Sequence, residues 1–175
     1  MRSRVACAFW VWGGLAGKKL TKIEKQQLNL RNELSGPKFR LHLTLAGPSM
    51  ALYPGQIDLL AKIARETPPI SLTLGKLNST PNFYTSIFYE IEPTKDLKEL
   101  RTAISSALNI SVTNWRPHIS LHYGPENEEK KAACASLDSY QSKELTLNRL
   151  IVTDVNEPKE IWEPVYVMPL GRERT

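Results

Sequence analysis

The chain of 175 residues is predicted to form one mixed domain of helices and strands, because short apolar runs typical of strands alternate with segments of helical periodicity. The order strand, helix, strand, helix, strand occurs in approximately residues 5–78 and again in 82–168. In both copies a histidine lies on the second strand. At this length a chain buries roughly 70% of its unfolded surface, so no disulfide is needed for a stable core.

The first copy contains five predicted elements. Gly13-Gly14 is expected to end the first strand, Thr21 and Glu24 are typical of a capping box at the start of the first helix, and Gly36-Pro37 stops that helix. In order, the elements are the strand Val5–Trp12, the helix Lys19–Leu34, the strand Phe39–Leu45, the helix Pro54–Arg65 and a strand from Ile70 into Leu77.

The second copy repeats this order and adds one strand. Pro93 is expected to close its first strand, and its second helix is the more polar of the two, with carboxylates that fit a solvated face. In order, the elements are the strand Phe83–Ile91, the helix Asp96–Leu108, the strand His118–Tyr123, the helix Glu126–Leu137 and the strands Leu145–Val155 and Ile161–Met168.

Each histidine strand pairs an imidazole with a hydroxyl. Because side chains alternate along a strand, His42 and Thr44 share one face of "HLTL", and His118 and Ser120 share one face of "HISL". The apolar residues between and beside them point to the opposite face. If the two copies are related by a pseudo-twofold axis, the two pairs face each other across a cleft.

Two facing imidazoles can catalyse displacement at phosphorus. With pKa values near ~6.5, one can be neutral and the other protonated at neutral pH, so one serves as base for the attacking water and the other as acid for the leaving alkoxide. The hydroxyls of Thr44 and Ser120 can donate to the non-bridging phosphoryl oxygens. This chemistry requires no metal, and the residues alone do not tell which histidine is the base.

Other catalytic sites fit the sequence less well. His118 and His122 lie roughly 13 Å apart along one strand, too far to share a zinc ion. The chain has no G-x-S-x-G nucleophile elbow and no glycine-rich phosphate loop followed by Lys-Ser/Thr. The acidic residues near Glu126 are better explained by a solvated helix than by a glycosidase.

Charge and cysteine content indicate the kind of ligand and the cellular compartment. A formal net charge of +5 and a pI near 9.2 favour an anionic ligand, although the basic residues are dispersed. Cys7 and Cys134 are far apart, which favours a reduced, intracellular protein. The start "MRSRVACAFWVWGGLAG" is similar to a secretory signal, but the repeat uses Val5–Trp12 as a strand, so we expect a cytoplasmic protein.

The segments "HLTL" and "PHISLHYG" resemble the two signature tetrapeptides of the 2H phosphoesterase superfamily. The longer segments "RPHISLHYG" and "IWEPVYVMPL" are more similar to its cyclic phosphodiesterase branch, known from plants and yeast. The resemblance covers most of the chain. It implies a bilobal, duplicated α+β fold over residues 1–175, with antiparallel sheets flanking a central cleft and helices on the outside.

The resemblance also implies an activity and a site. The activity is metal-independent hydrolysis of ADP-ribose 1″,2″-cyclic phosphate or nucleoside 2′,3′-cyclic phosphates, giving ADP-ribose 1″-phosphate or 2′-nucleotides. It makes His42 and His118 the acid–base pair and assigns the phosphoryl oxygens to Thr44 and Ser120. Tyr123 corresponds to an aromatic residue that lines the family's cleft.

The remaining expectations concern aromatic contacts to the substrate, His122, the ligand and two alternative functions. By their positions in the repeat, Trp12 at the end of one strand and Tyr84 at the start of its counterpart are candidates to stack on a base. His122, where relatives more often have an apolar residue, is expected to be solvated, with added charge at the cleft mouth as the alternative. We expect a monomer that binds a small nucleotide with a cyclic phosphate, with no cofactor, metal or membrane. Processing of RNA ends or 2′,5′-oligonucleotides and a non-catalytic nucleotide- or RNA-binding module are the alternatives.

Overall fold

The protein is described here by a computed structural model that covers residues 8–111, 114–125, 127–137, 139–141, 144–155 and 162–171. The ends of three predicted elements, at residues 5–7, 126 and 161, lie outside these ranges, as does Cys7. The described residues form four α-helices, seven strands and a 3₁₀ turn at Phe83–Thr85. In order, these are β1 Phe9–Ala16, α1 Leu20–Leu34, β2 His42–Ser49, α2 Pro54–Glu66, β3 Ile70–Ser79, β4 Ile87–Ile91, α3 Lys95–Ala107, β5 His118–His122, α4 Glu128–Ser136, β6 Glu144–Asp154 and β7 Pro164–Pro169.

The mixture of helices and strands and the order in which they follow one another agree with the sequence prediction. The strands are arranged β1-β2-β5-β4-β3-β6, and β6 also pairs with β1, so six antiparallel strands form a closed, barrel-like sheet. β7 pairs with residues 149–153 of β6, next to residues 144–147, which pair with β3. The bilobal duplication of the two halves and the cleft between them stay predictions.

The helices pack in two pairs against the sheet. α1 contacts α4, with α1 against β5 and α4 against β3, whereas α2 contacts α3, with α3 against β2 and α2 against β7. Fully buried Leu43, Ile119 and Tyr89 lie side by side on neighbouring strands. The Tyr89 hydroxyl donates to Gln26 of α1 at 3.2 Å, so this apolar row faces that helix. Side chains at the alternate positions of β2 and β5 therefore point away from α1.

The first strand differs from its predicted range. We expected Val5–Trp12 with a stop at Gly13-Gly14, but β1 runs to Ala16 and both glycines pair with β2 on one side and β6 on the other. The glycines are required there because the side chains of Leu147 and Arg149 on β6 occupy the space that a Cβ would take. These glycines therefore permit close packing inside a central strand and do not end it.

Two further predictions were wrong in detail. The strand expected over Phe83–Ile91 begins only at Ile87, because the Asn82 side chain accepts from the Tyr84 N–H at 2.9 Å and stabilises a 3₁₀ turn. The capping box expected at Thr21 and Glu24 is absent, since α1 begins at Leu20 and its N-cap, Lys19, makes no side-chain cap hydrogen bond.

The end of the first helix and the start of β2 follow from one turn. α1 stops at Leu34, as Gly36-Pro37 predicts, and Ser35 and Gly36 both adopt positive φ, at 54° and 158°. β2 begins at His42 and runs to Ser49, later at both ends than the predicted Phe39–Leu45.

In the part of the chain that the structure describes, no helix is long and apolar enough to cross a membrane.

Candidate active site

The pairing of β2 with β5 brings both histidine motifs to one face of the sheet. Leu43 pairs with Ile119, and both side chains are fully buried on the face of the sheet that packs against α1. Extending this antiparallel register by one residue each way sets His42 opposite Ser120 and Thr44 opposite His118, all four on the other face. His42 and His118 are therefore diagonal neighbours, which lie about 7–8 Å apart with their Cβ atoms somewhat closer, so the two imidazoles can approach one small group from two sides.

The two histidines make matching contacts with the backbone. Nδ1 of His42 lies 2.6 Å from the Arg40 carbonyl oxygen, and Nδ1 of His118 lies 2.8 Å from the Arg116 carbonyl oxygen. A carbonyl oxygen can only accept, so each Nδ1 carries a proton and donates it. Each Nε2 is then the ring nitrogen available to exchange a proton with a ligand.

His42 is held in a dry environment. It is 6% exposed, and the Trp12 ring stacks on it with centroids 3.8 Å apart and planes inclined by 14°. Burial lowers the pKa of His42 to about 4, against a partly opposing effect of the Arg40 carbonyl, and the nearby charge of His118 lowers it further. His42 is therefore neutral near pH 7, with a lone pair on Nε2.

The lowered pKa of His42 makes stability depend on pH. Below about 6.5 the unfolded chain binds a proton at His42 that the folded chain takes up only near pH 4, so stability falls as the pH decreases through this window and is retained above it. Between neutral pH and pH 4.5 we expect wild type to lose about 2 kcal/mol more than His42→Gln. Urea unfolding of both proteins at the two pH values measures the difference. Equal losses in the two proteins would contradict a buried, neutral His42.

The imidazoles border a cavity of about 630 Å³. His42, Thr44 and His118 lie on its wall, together with the predicted contacts Trp12, Tyr84 and Tyr123. Ser120 is 6% exposed and its hydroxyl donates to the Tyr84 carbonyl oxygen at 3.0 Å. The structure thus brings six of the seven predicted site residues to one cavity, with Ser120 beside it and engaged in another hydrogen bond.

Aromatic rings form much of the cavity wall. Tyr123 is stacked on Phe39 with centroids 3.8 Å apart, and burial raises the pKa of its phenol, so the hydroxyl stays protonated. Tyr84 is 48% exposed and meets Tyr123 edge-on at 5.5 Å. The ring centroid of Trp162 lies 6.0 Å from that of Trp12 and 6.4 Å from that of Tyr123, and Trp162 also lines the cavity. A planar ligand group therefore meets several ring faces and edges here.

Two aromatic residues of this wall, Trp10 and Trp162, were not predicted from the sequence. Trp162 lies in the segment "IWEPVYVMPL", which carries part of the family resemblance. Trp10 lies two residues before Trp12 on β1, so strand alternation could have placed both on one face.

His122 is not solvated, contrary to the sequence expectation. It is 4% exposed, with Nε2 2.8 Å from the Ser35 carbonyl oxygen and Nδ1 3.1 Å from the Ser86 hydroxyl. Burial lowers its pKa, which favours the neutral ring that these two contacts suit, with Nε2 donating and Nδ1 accepting. His122 therefore connects the turn after α1 to the start of β4 and does not line the cavity.

The two His-x-Thr/Ser strands beside one cavity fit a 2H phosphoesterase, the class of protein that the sequence resemblance implies. Residues 20–157 match the 2'-5' RNA ligase superfamily, and the chain belongs to this family. A similar protein is a cyclic phosphodiesterase of Arabidopsis thaliana, 25% identical over 170 residues, which cover 92% of this chain and 94% of that protein.

Solved structures share the fold at lower identity. A crystal structure of E. coli LigT complexed with 3'-AMP is similar with a TM-score of 0.60, at 15% identity, over 95% of this chain and 99% of LigT. The protein TT0787 of Thermus thermophilus has a TM-score of 0.62 at 16% identity, over 95% and 99% of the two chains. The family and the name of the Arabidopsis relative support a phosphoesterase, and E. coli LigT binds a nucleotide.

Proposed function

We propose that this protein hydrolyses cyclic phosphodiesters of nucleotides by two-histidine acid–base catalysis, without a metal. The substrate class is ADP-ribose 1″,2″-cyclic phosphate or nucleoside 2′,3′-cyclic phosphates. The observation that carries the proposal is the β2–β5 register, which sets His42 and His118 diagonally across one sheet face beside the same cavity. The similarity to a cyclic phosphodiesterase supports this choice of substrate.

The reaction needs one proton removed and one delivered on opposite sides of phosphorus. A water molecule attacks the phosphorus of a 2′,3′-cyclic phosphate and gives a proton to one imidazole. The bond from phosphorus to O3′ breaks, and O3′ takes a proton from the other imidazole, which leaves a 2′-nucleotide. Proton exchange with solvent then restores both histidines for the next turnover.

The environment of the two rings favours His42 as the base. Its pKa is lowered to about 4 by burial, so it enters the reaction neutral, with its Nδ1 proton donated to the Arg40 carbonyl oxygen and the lone pair on Nε2 left to accept a proton from water. His118 is more exposed, and its Nδ1 is likewise held by the Arg116 carbonyl, so a proton delivered to the leaving oxygen comes from Nε2. We assign His118 as the acid on these grounds.

The hydroxyls beside the histidines are proposed to bind the non-bridging oxygens. Thr44 lies on the cavity wall, next to His118 on the paired strand. Its hydroxyl can therefore donate to a phosphoryl oxygen as negative charge grows there. Ser120 donates to the Tyr84 carbonyl, so its proton must leave that contact when substrate binds. The protonated Tyr123 hydroxyl is a further donor on the same wall. Tyr84, Trp12 and Trp162 are proposed to contact the base or ribose.

A substrate panel with product identification tests the proposal. We expect hydrolysis of ADP-ribose 1″,2″-cyclic phosphate or nucleoside 2′,3′-cyclic phosphates in the presence of a metal chelator, with a single phosphate regioisomer observed by phosphorus NMR. Loss of turnover on chelation would contradict the metal-independent reaction. If both cyclic substrates stay intact although nucleotides bind, a non-catalytic binding module replaces the proposal.

The family description favours one second candidate, processing of RNA ends or 2′,5′-linked oligonucleotides. This activity would require oligonucleotides to be turned over faster than the small cyclic nucleotides and their binding to weaken steeply with salt, because several phosphates would be neutralised at once. Short 2′,5′- and 3′,5′-linked RNAs therefore belong in the same panel. A higher kcat/KM for these RNAs would favour this candidate.

A further inference from the structure

A second cavity of about 660 Å³ adjoins the proposed active site. The two cavities share part of their walls, and no step of the proposed reaction uses the second one. The shared residues are Trp10, Thr44, Thr85 and His118. Since Thr44 and His118 border both spaces, a ligand with its phosphorus beside His118 can extend directly into the second cavity.

Arg101 of α3 lines this second cavity and is unusually dry for an arginine. The residue is 9% exposed, and its Nε makes no hydrogen bond in the part of the chain that the structure describes. A buried guanidinium nitrogen without a hydrogen-bond partner is energetically unfavourable. An anion bound in the cavity would supply the missing partner through charge-assisted hydrogen bonds.

Trp115 holds this guanidinium in position. The Cζ atom of Arg101 lies 5.0 Å from the centroid of the Trp115 ring, and the indole N–H of Trp115 donates to the Thr44 carbonyl oxygen at 3.1 Å. A cation–π contact does not use the guanidinium N–H groups as donors to an oxygen acceptor, so they can still donate to a ligand. The tryptophan thus links Arg101 to the strand that carries His42 and Thr44.

The charges around the second cavity favour an anion. Arg116 and His118 lie on its wall in addition to Arg101, whereas Glu90 supplies a carboxylate. That carboxylate accepts a hydrogen bond from the Asn78 side chain at 2.7 Å, so it is oriented by another partner. Two guanidinium groups against one carboxylate leave this wall positive near neutral pH.

We infer that the second cavity is a subsite for an additional phosphate group of the substrate, bound by Arg101. The choice of phosphate over other anions rests on the proposed function. The substrate class is therefore a nucleotide that carries at least one phosphate besides the cyclic one, such as a diphosphate or the next internucleotide phosphate. A nucleoside cyclic monophosphate fills only the first cavity and leaves Arg101 unpaired.

Kinetics with a matched substrate pair test this inference. The pair is a nucleoside 2′,3′-cyclic phosphate and the same compound with a 5′-phosphate. We expect wild type to prefer the second substrate at least about tenfold in kcat/KM. Arg101→Met, which keeps the unbranched apolar stem against Trp115, is expected to abolish the preference, and Arg101→Lys to keep part of it. A wild type without the preference, or a preference unchanged in Arg101→Met, would overturn the subsite.

A binding measurement gives a readout that does not depend on turnover. In calorimetric titrations with inorganic phosphate, wild type is expected to bind two ions and Arg101→Met one. Arg65→Met, at an exposed position of α2, is the control that still binds two. If no cyclic substrate is hydrolysed but the Arg101-dependent ion is present, the proposed function fails and the anion site stands. If hydrolysis occurs and wild type binds only one ion, the subsite fails alone.

Discussion

Replacing His118 by Gln lowers kcat/KM for a nucleoside 2′,3′-cyclic phosphate by about 10²–10⁴-fold, because the leaving oxygen loses its proton donor. His42→Gln is expected to have an effect of the same order, since the attacking water loses its base. The barrier rises by roughly 3–5 kcal/mol in either case. Steady-state kinetics of both variants, with circular dichroism to verify folding, provide the measurement.

His122→Gln is the matched control for these variants because His122 lies on the same strand as His118 but outside the cavity wall. Its hydrogen bonds to Ser35 and Ser86 are structural, so its loss should lower stability and leave kcat within a small factor. The double variant of His42 and His118 should be little worse than either single variant, because the two rings act in one concerted transfer. Turnover that survives in both single variants would exclude two-histidine catalysis.

Leu43→Ala is expected to destabilise the fold by about 2–5 kcal/mol, the largest expected effect outside the active site. Leu43 is fully buried and pairs with Ile119 at the junction of β2 and β5, so the substitution leaves a cavity directly behind His42 and His118. Chemical denaturation of wild type and variant gives the free energy of unfolding.

Leu28→Ala on α1 is the control for this prediction. Leu28 is 46% exposed, so its truncation should change the free energy of unfolding by less than about 0.5 kcal/mol. If Leu43→Ala cost no more than Leu28→Ala, the apolar row behind the histidine strands would not be part of the core.

Local periodicity was sufficient to predict most helices and strands. The helix Lys19–Leu34 and the strand Leu145–Val155 agree with α1 and β6 to within one residue at each end. The boundary at Gly13-Gly14 was wrong because a glycine pair signals a turn locally, whereas here the space beside it is filled by residues far along the chain.

The candidate site was predictable where strand alternation alone decides which way a side chain points. This holds for His42, Thr44 and His118, which share one cavity. His122 obeys the same alternation but became buried, because Ser35 and Ser86 from two other segments enclose its ring. The hydrogen bond of Ser120 to the Tyr84 carbonyl likewise depends on a 3₁₀ turn that the sequence pattern did not indicate. Such contacts depend on tertiary packing, which the periodicity of the sequence does not reveal.

A crystal structure of the protein with a bound 2′-nucleotide tests the proposed chemistry most directly. We expect the phosphate between the two rings, with Nε2 of His42 and Nε2 of His118 each within about 3 Å of a different phosphoryl oxygen. The Thr44 hydroxyl should donate to a third oxygen. A phosphate bound elsewhere in the cavity, or contacting only one of the two imidazoles, would contradict catalysis by the pair.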